Sequence, residues 1–98
     1  MGKRINKDEF KEIIIDGKEQ AIVDFYADWC GPCRMLSPIL EEVNNTYPVY
    51  KINVDNESDL AREYGIMNIP CVIAFKDGKE VKRSIGLTSK ENILNLFK

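Results

Sequence analysis

The stretch Ala21-Ile22-Val23-Asp24-Phe25-Tyr26-Ala27-Asp28-Trp29-Cys30-Gly31-Pro32-Cys33 decides the fold. Its first six residues are apolar at both alternating positions except Asp24, the pattern of a central parallel strand covered on both faces. Asp24 is the anomaly, because a carboxylate is rarely buried without a partner. Beyond the segment, Met35, Leu36, Ile39, Leu40 and Val43 form an apolar stripe at helical spacing. Cys30 therefore falls at a strand-to-helix junction. Pro32 is tolerated in a first helical turn, whereas Pro38 removes a backbone hydrogen bond inside the helix and predicts a kink.

Working outward, Asn6 and Glu9 have the spacing of a capping box, and Phe10, Ile13 and Ile14 share one helical face. This predicts a helix over residues 7 to 16, stopped by Gly17. Lys3 to Ile5 is a candidate short strand before it. Tyr47-Pro48 closes the second helix, and residues 49 to 54 read as another strand. Leu60, Ala61 and Tyr64 mark a short third helix ended by Gly65. Residues 71 to 75 form the next strand, and Asp77-Gly78 is a two-residue hairpin signal returning the chain antiparallel through Glu80 to Ile85. Thr88 and Glu91 look like a second capping box, and Ile93, Leu94 and Phe97 hold the last helix to the core. The order is βαβαβα followed by a hairpin and a helix. This is an α/β class with a mixed central sheet of four to five strands, flanked by helices on both faces, its crossovers implying parallel strands.

Composition sets the outer limits. The 98 residues, 44% hydrophobic and 31% charged, suit one soluble globular domain spanning 1–98. With 14 basic against 16 acidic residues and a net charge of -2, no nucleic-acid partner is expected. The absence of histidine removes Cys-His and Ser-His nucleophilic pairs, HExxH zinc sites and CxxCH haem attachment. Met1-Gly2-Lys3-Arg4 is basic but no apolar h-region follows, and the longest purely apolar run is the five residues Cys71 to Phe75. A cytoplasmic location with no membrane contact is therefore expected. Asn6 at the sixth position breaks the myristoylation pattern.

Three cysteines, an odd number, fit redox chemistry better than a disulfide framework. A Cys-x-x-Cys between a buried strand and a helix suits reversible dithiol chemistry. The helix start brings the two sulfurs together and aims backbone N–H groups at Cys30, which should lower its thiol below the ordinary value and activate it as the nucleophile. Cys33, one turn inside, should be better shielded. A zinc ion needs four ligands, and no second Cys-x-x-Cys is present, so no metal is expected.

Taken together, residues 23 to 33, with Trp-Cys-Gly-Pro-Cys at 29 to 33, resemble the active-site segment of the thioredoxin family. Pro38, Lys51, Ile69-Pro70 and Gly86 fall at that family's other markers, and the similarity covers almost the whole chain. The resemblance implies a thioredoxin fold and a general protein disulfide reductase needing no cofactor. Cys30 would attack a substrate disulfide, and Cys33 would resolve the mixed disulfide. Asp24 would help to deprotonate Cys33, with burial raising its pKa and Lys51 as its ion-pair partner. The competing reading of Asp24 and Lys51 is a structural pair without chemistry.

By the same match Pro70 is expected to be cis, with its loop facing the sulfurs and the Ile69 backbone pairing with an extended substrate segment. Trp29, Gly31, Pro32, Val54, Tyr64, Ile69 and Gly86 would form the docking surface, although Trp29, Val54, Tyr64 and Gly86 also suit packing or turns. The implied partners are disulfide-containing proteins and a thioredoxin reductase, NADPH- and flavin-dependent or similar, with the protein acting as a monomer.

Three positions depart from the family pattern. Cys71 stands where Thr is usual, Tyr26 where Trp is common, and Asn68 where Gly is frequent. Cys71 next to Pro70 is a candidate regulatory thiol, and its competing reading is a small buried hydrophobe. Two other functions remain open on sequence: a redox-independent binding module, and a disulfide oxidase, isomerase or glutaredoxin-like protein. Gly31-Pro32 favours the reductase over the second, since it adds no ionisable group to stabilise the reduced thiolate.

Overall fold

The computed structural model describes residues 2–98; Met1, counted in the single-domain span and in the basic start of the chain, lies outside the described residues. Five strands, β1 (Lys3–Arg4), β2 (Ala21–Tyr26), β3 (Val49–Asn53), β4 (Cys71–Lys76) and β5 (Lys79–Ile85), form one sheet in the order β1-β3-β2-β4-β5. The helices are α1 (Lys7–Phe10, continuing as a π-helix over Lys11–Asp16), α2 (Gly31–Val43), α3 (Ser58–Glu63) and α4 (Lys90–Leu94, ending in a 3₁₀ turn over Asn95–Phe97).

All six residues of β2 are buried, as its unbroken apolar pattern requires of a strand covered on both sides. Its alternating side chains serve two cores. Ala21, Val23 and Phe25 pack with Phe10 and Ile14 of α1 and Leu60 of α3. Ile22, on the other face, packs with Leu36, Leu40 and Val43 of α2 and Ile93 of α4. The helices of each pair thus lie on one face of the sheet, and two hydrophobic layers sandwich it.

β2 is parallel to β3 but antiparallel to β4, so it is not the all-parallel strand its composition suggested. The reason lies in α3. Its six residues span about 9 Å, short of the roughly 17–20 Å of an ordinary strand, so the chain leaving β3 does not travel back along the sheet. It re-enters at the same end, pairing Cys71 at the start of β4 with Phe25 near the end of β2. This reversal brings the Ile69-Pro70 loop to the sheet end where β2 delivers Cys30.

Local signals hold with three adjustments. The Asn6 box forms both ways, Glu9 N–H donating to Asn6 Oδ1 at 2.8 Å and Asn6 N–H to Glu9 Oε1 at 3.0 Å. Beyond Phe10 the helix widens, and Gly17 N–H donates to the carbonyl of Glu12, five residues back. Gly17 itself stays right-handed; it is required because a Cβ would lie 2.7 Å from the Ile13 carbonyl oxygen, and Lys18 takes the positive φ. At the last helix Ser89, not Thr88, is the cap, accepting from Asn92 N–H at 3.1 Å, while Thr88 accepts from the Asn92 side chain.

The hairpin turn uses positive φ at both Asp77 (56°) and Gly78 (80°), as a two-residue turn of this hand requires. A Cβ at Gly78 would also sit 3.0 Å from the Ile15 carbonyl oxygen at the end of the π-helix. Gly78→Ala is therefore expected to cost about 1–3 kcal/mol, read as a lower urea midpoint with an unchanged m-value.

Candidate active site

Cys30 has extended backbone (φ -88°, ψ 110°) and caps α2 with its sulfur, which accepts the Cys33 N–H at 3.2 Å. Gly31 and Pro32 fill the first helical turn, where the missing Pro32 N–H costs no helical hydrogen bond. This geometry sets the Cys30 and Cys33 Cα atoms 5.3 Å apart, and the sulfurs are joined as a disulfide. Any negative charge developing on Cys30 would meet a backbone donor and the positive end of a 13-residue helix.

As whole residues the two cysteines are covered equally. Cys30 and Cys33 are each 4% exposed, in a cluster with Tyr26 and Ala27 against which Val54 and Ile69 pack. The expected difference in shielding is absent because the loop before β4 lies over Cys30, its sulfur 3.9 Å from the Ile69 carbonyl oxygen. The Ile69–Pro70 peptide bond is cis. Gly86 (φ 91°) donates its N–H to the Pro70 carbonyl at 2.7 Å, bringing the end of β5 to the same loop.

Trp29 stands out from the surface, 68% exposed, and its indole N–H donates to Asp55 Oδ2 at 2.9 Å. Asp55 is set in turn by Asn53, a buried residue whose Oδ1 accepts the N–H groups of Asp55 and Asn56. Asn53 and Asp55 were missed in the sequence. Asn53-Val54-Asp55-Asn56 carries a readable signal for an Asx turn, but nothing in the sequence ties that turn to Trp29.

Asp24 lies between Ile22 and Tyr26 on the β2 face that α2 covers. It is 1% exposed, and neither carboxylate oxygen has a hydrogen-bond partner among the described residues. Burial pushes its pKa from 3.8 up to about 7, opposed by the charge of Lys51. Lys51 is its register partner on β3, yet the expected ion pair does not form. The ammonium sits over the Tyr26 ring instead, 4.5 Å from the centroid. A cavity of about 330 Å³ lined by Arg4, Tyr26, Asp28, Cys33, Ser37 and Lys51, among others, opens beside them.

Two expected site residues are drawn elsewhere. Tyr64 packs edge-on against Phe10 and Phe75, with centroids at 5.6 and 5.5 Å, and belongs to the core between the sheet and α1 and α3 rather than to the rim of the sulfurs. Cys71 is 1% exposed in that same core, and burial raises its thiol. Residues 71, 73 and 75 alternate toward the α1 and α3 face, so the side chain turns away from the layer holding Asp24. The buried-hydrophobe reading fits this place and the regulatory one does not. Among the described residues no group of three or more His, Cys, Asp or Glu is arranged to hold a metal ion.

A carboxyl titrating higher in the folded chain than in the unfolded one stabilises the fold fully below pH 3.8 and loses that contribution as the pH rises through about 7. Across this window the shift corresponds to roughly 4 kcal/mol. Asp24→Asn should therefore gain stability relative to the parent by a few kcal/mol between pH 4 and pH 8. Urea unfolding of the oxidised proteins across that range checks it, and parallel pH profiles would contradict it.

Comparison with known proteins places this geometry. A family model described as Thioredoxin matches residues 2–98. A thioredoxin of Chlamydia pneumoniae is 46% identical, over 99% of this chain and 96% of its own length. A thioredoxin of Rickettsia felis is 35% identical over 97% and 94%. Among solved structures, a mutant thioredoxin from Halobacterium salinarum NRC-1 superposes with a TM-score of 0.88 at 34% identity, covering 97% of this chain and 86% of that one. Matched along nearly all its length in sequence and in fold, and carrying the redox-active pair Cys30 and Cys33, the chain belongs to the thioredoxin family of disulfide oxidoreductases.

Proposed function

We propose that the protein is a general protein disulfide reductase of the cytoplasm, in which Cys30 is the nucleophile, Cys33 the resolving thiol and Asp24 the base. The observation that carries this reading is the Cys30–Cys33 disulfide at the start of α2, beneath the Ile69 carbonyl. In the reduced protein the Cys30 thiolate attacks a substrate disulfide; one S–S bond breaks, a mixed disulfide forms, and the first substrate thiolate leaves. Cys33 then gives its proton to Asp24 and attacks the Cys30 sulfur, breaking the mixed disulfide, restoring the internal one and releasing the second substrate thiolate, which takes up a proton from solvent as Asp24 returns its own. Two electrons pass to the substrate.

Asp24 suits this step because its pKa of about 7 lets it accept a proton near neutrality. Lys51 favours the carboxylate once it forms, by its charge across the strand pair. Substrates dock over the exposed Trp29 and Pro32, Gly31, Val54, Ile69 and Gly86, an extended segment pairing with the Ile69 backbone. The disulfide is returned to the dithiol by a thioredoxin reductase, NADPH- and flavin-dependent or similar, which makes the protein an electron carrier in cell redox homeostasis. The chain 1–98 acts as one domain and as a monomer. No helix among the described residues is long and apolar enough to cross a membrane.

Reduction of insulin disulfides by dithiothreitol tests the reading. Turnover well above the chemical background is expected, with Cys30→Ser abolishing it and Cys71→Thr leaving it unchanged. Asp24→Asn should form the mixed disulfide at the parent rate but resolve it on the order of a hundredfold more slowly near neutral pH. Background-level turnover by the parent protein would overturn the reductase, and equal resolution rates would remove Asp24 from its role.

A further inference from the structure

Asp24 and Tyr26 are two residues apart on β2 and point to one face of the sheet, and Lys51 is the register partner of Asp24 on β3. A lysine so placed beside a buried carboxylate would ordinarily pair with it. Here it does not. Among the described residues neither oxygen of Asp24 has a hydrogen-bond partner, and the Lys51 ammonium stands 4.5 Å from the centroid of the Tyr26 ring. The Arg4 guanidinium approaches the same ring at 5.5 Å and reaches Asp28 at 3.7 Å. The ring face is what this side chain offers Lys51.

We propose that Tyr26 is a positioning residue of the active site, its ring holding the Lys51 ammonium by a cation–π contact and so keeping it from forming an ion pair with Asp24. A carboxylate locked to Lys51 would stay ionised through the working range and be a poor acceptor for the Cys33 proton. Held over the ring, Lys51 acts on Asp24 only at longer range. Lys51 from β3 acts on the carboxyl by its charge, Tyr26 lies two residues along the same face of β2, and the Cys71 thiol of β4, on the opposite face of the sheet, feels the Asp24 charge only through it. Cys33 from α2 lines the adjoining cavity with Arg4 and Asp28. Of these, Lys51 is the cation whose placement the ring decides. The consequence for catalysis rests on Asp24 acting as the base, whereas the placement of Lys51 does not.

The test follows the Asp24 carboxyl carbon by NMR against pH in the oxidised protein, where neither active-site thiol titrates. Tyr26→Phe, which keeps the ring, should match the parent. Tyr26→Met should lower the Asp24 midpoint by about one pH unit as Lys51 is released to the carboxylate. That drop should vanish in the Lys51→Met background, so that Tyr26→Met/Lys51→Met coincides with Lys51→Met. A drop of equal size without Lys51 would mean that the smaller side chain merely admits water, and would overturn the proposal, as would no drop at all.

The parent protein gives a reading that needs no variant. The Lys51 ε-methylene protons should carry an upfield ring-current shift on both sides of the Asp24 titration. Loss of that shift when Asp24 ionises would overturn the proposal. If the Asp24 midpoint behaves as stated while Asp24→Asn resolves mixed disulfides at the parent rate, the base assignment fails and the role of Tyr26 in placing Lys51 stands.

Discussion

The sulfur of Cys30 does two jobs that fix the rest of the site. As the cap of α2 it accepts the Cys33 N–H, a donor the helix would otherwise leave open, and as half of the disulfide it is the atom where exchange occurs. Both depend on β2 ending at Tyr26 and the chain turning into a helix within a few residues. A fully buried β2 anchors that turn from below. The short α3 then returns the chain to the same end of the sheet and lays Ile69 over the sulfur. Fold and chemistry thus share one constraint, the convergence of three chain segments at one end of the central strand.

Asp24 shows how the site departs from what stability alone would select. A buried carboxyl without hydrogen bonds costs free energy that an apolar residue in the same place would not. Its proton affinity is raised by that same burial, so the property useful for taking a proton and the strain on the fold have one cause. The exposed indole of Trp29, tied to Asp55 rather than packed away, is a second departure: a large aromatic side chain kept at the surface beside Cys30.

Much of this was legible in the sequence because local chemistry fixed it. The Asn6 and Glu9 box, the Asp77-Gly78 hairpin, the buried β2 and the Cys30 junction each depend on residues close together in the chain. What escaped depends on three-dimensional neighbours. The direction of β4 follows from the length of α3 against the strands, and the π-helical end of α1 sets the Ile13 carbonyl so close to Gly17 that no Cβ fits there. Cys71 and Tyr64 were drawn to the site by their place in a family pattern, yet strand alternation and an aromatic cluster hold them in the opposite core. Lys51 sits where sequence matching put it, but its partner is the ring of Tyr26, a position where the family resemblance makes Trp common.

The most direct measurement of the central claim is mass spectrometry of the Cys33→Ser protein after reaction with a disulfide-bonded peptide. The account predicts a stable mixed disulfide carried by Cys30 alone, with Cys71 unmodified while the protein is folded. A peptide adduct on Cys71, or none on Cys30, would contradict it.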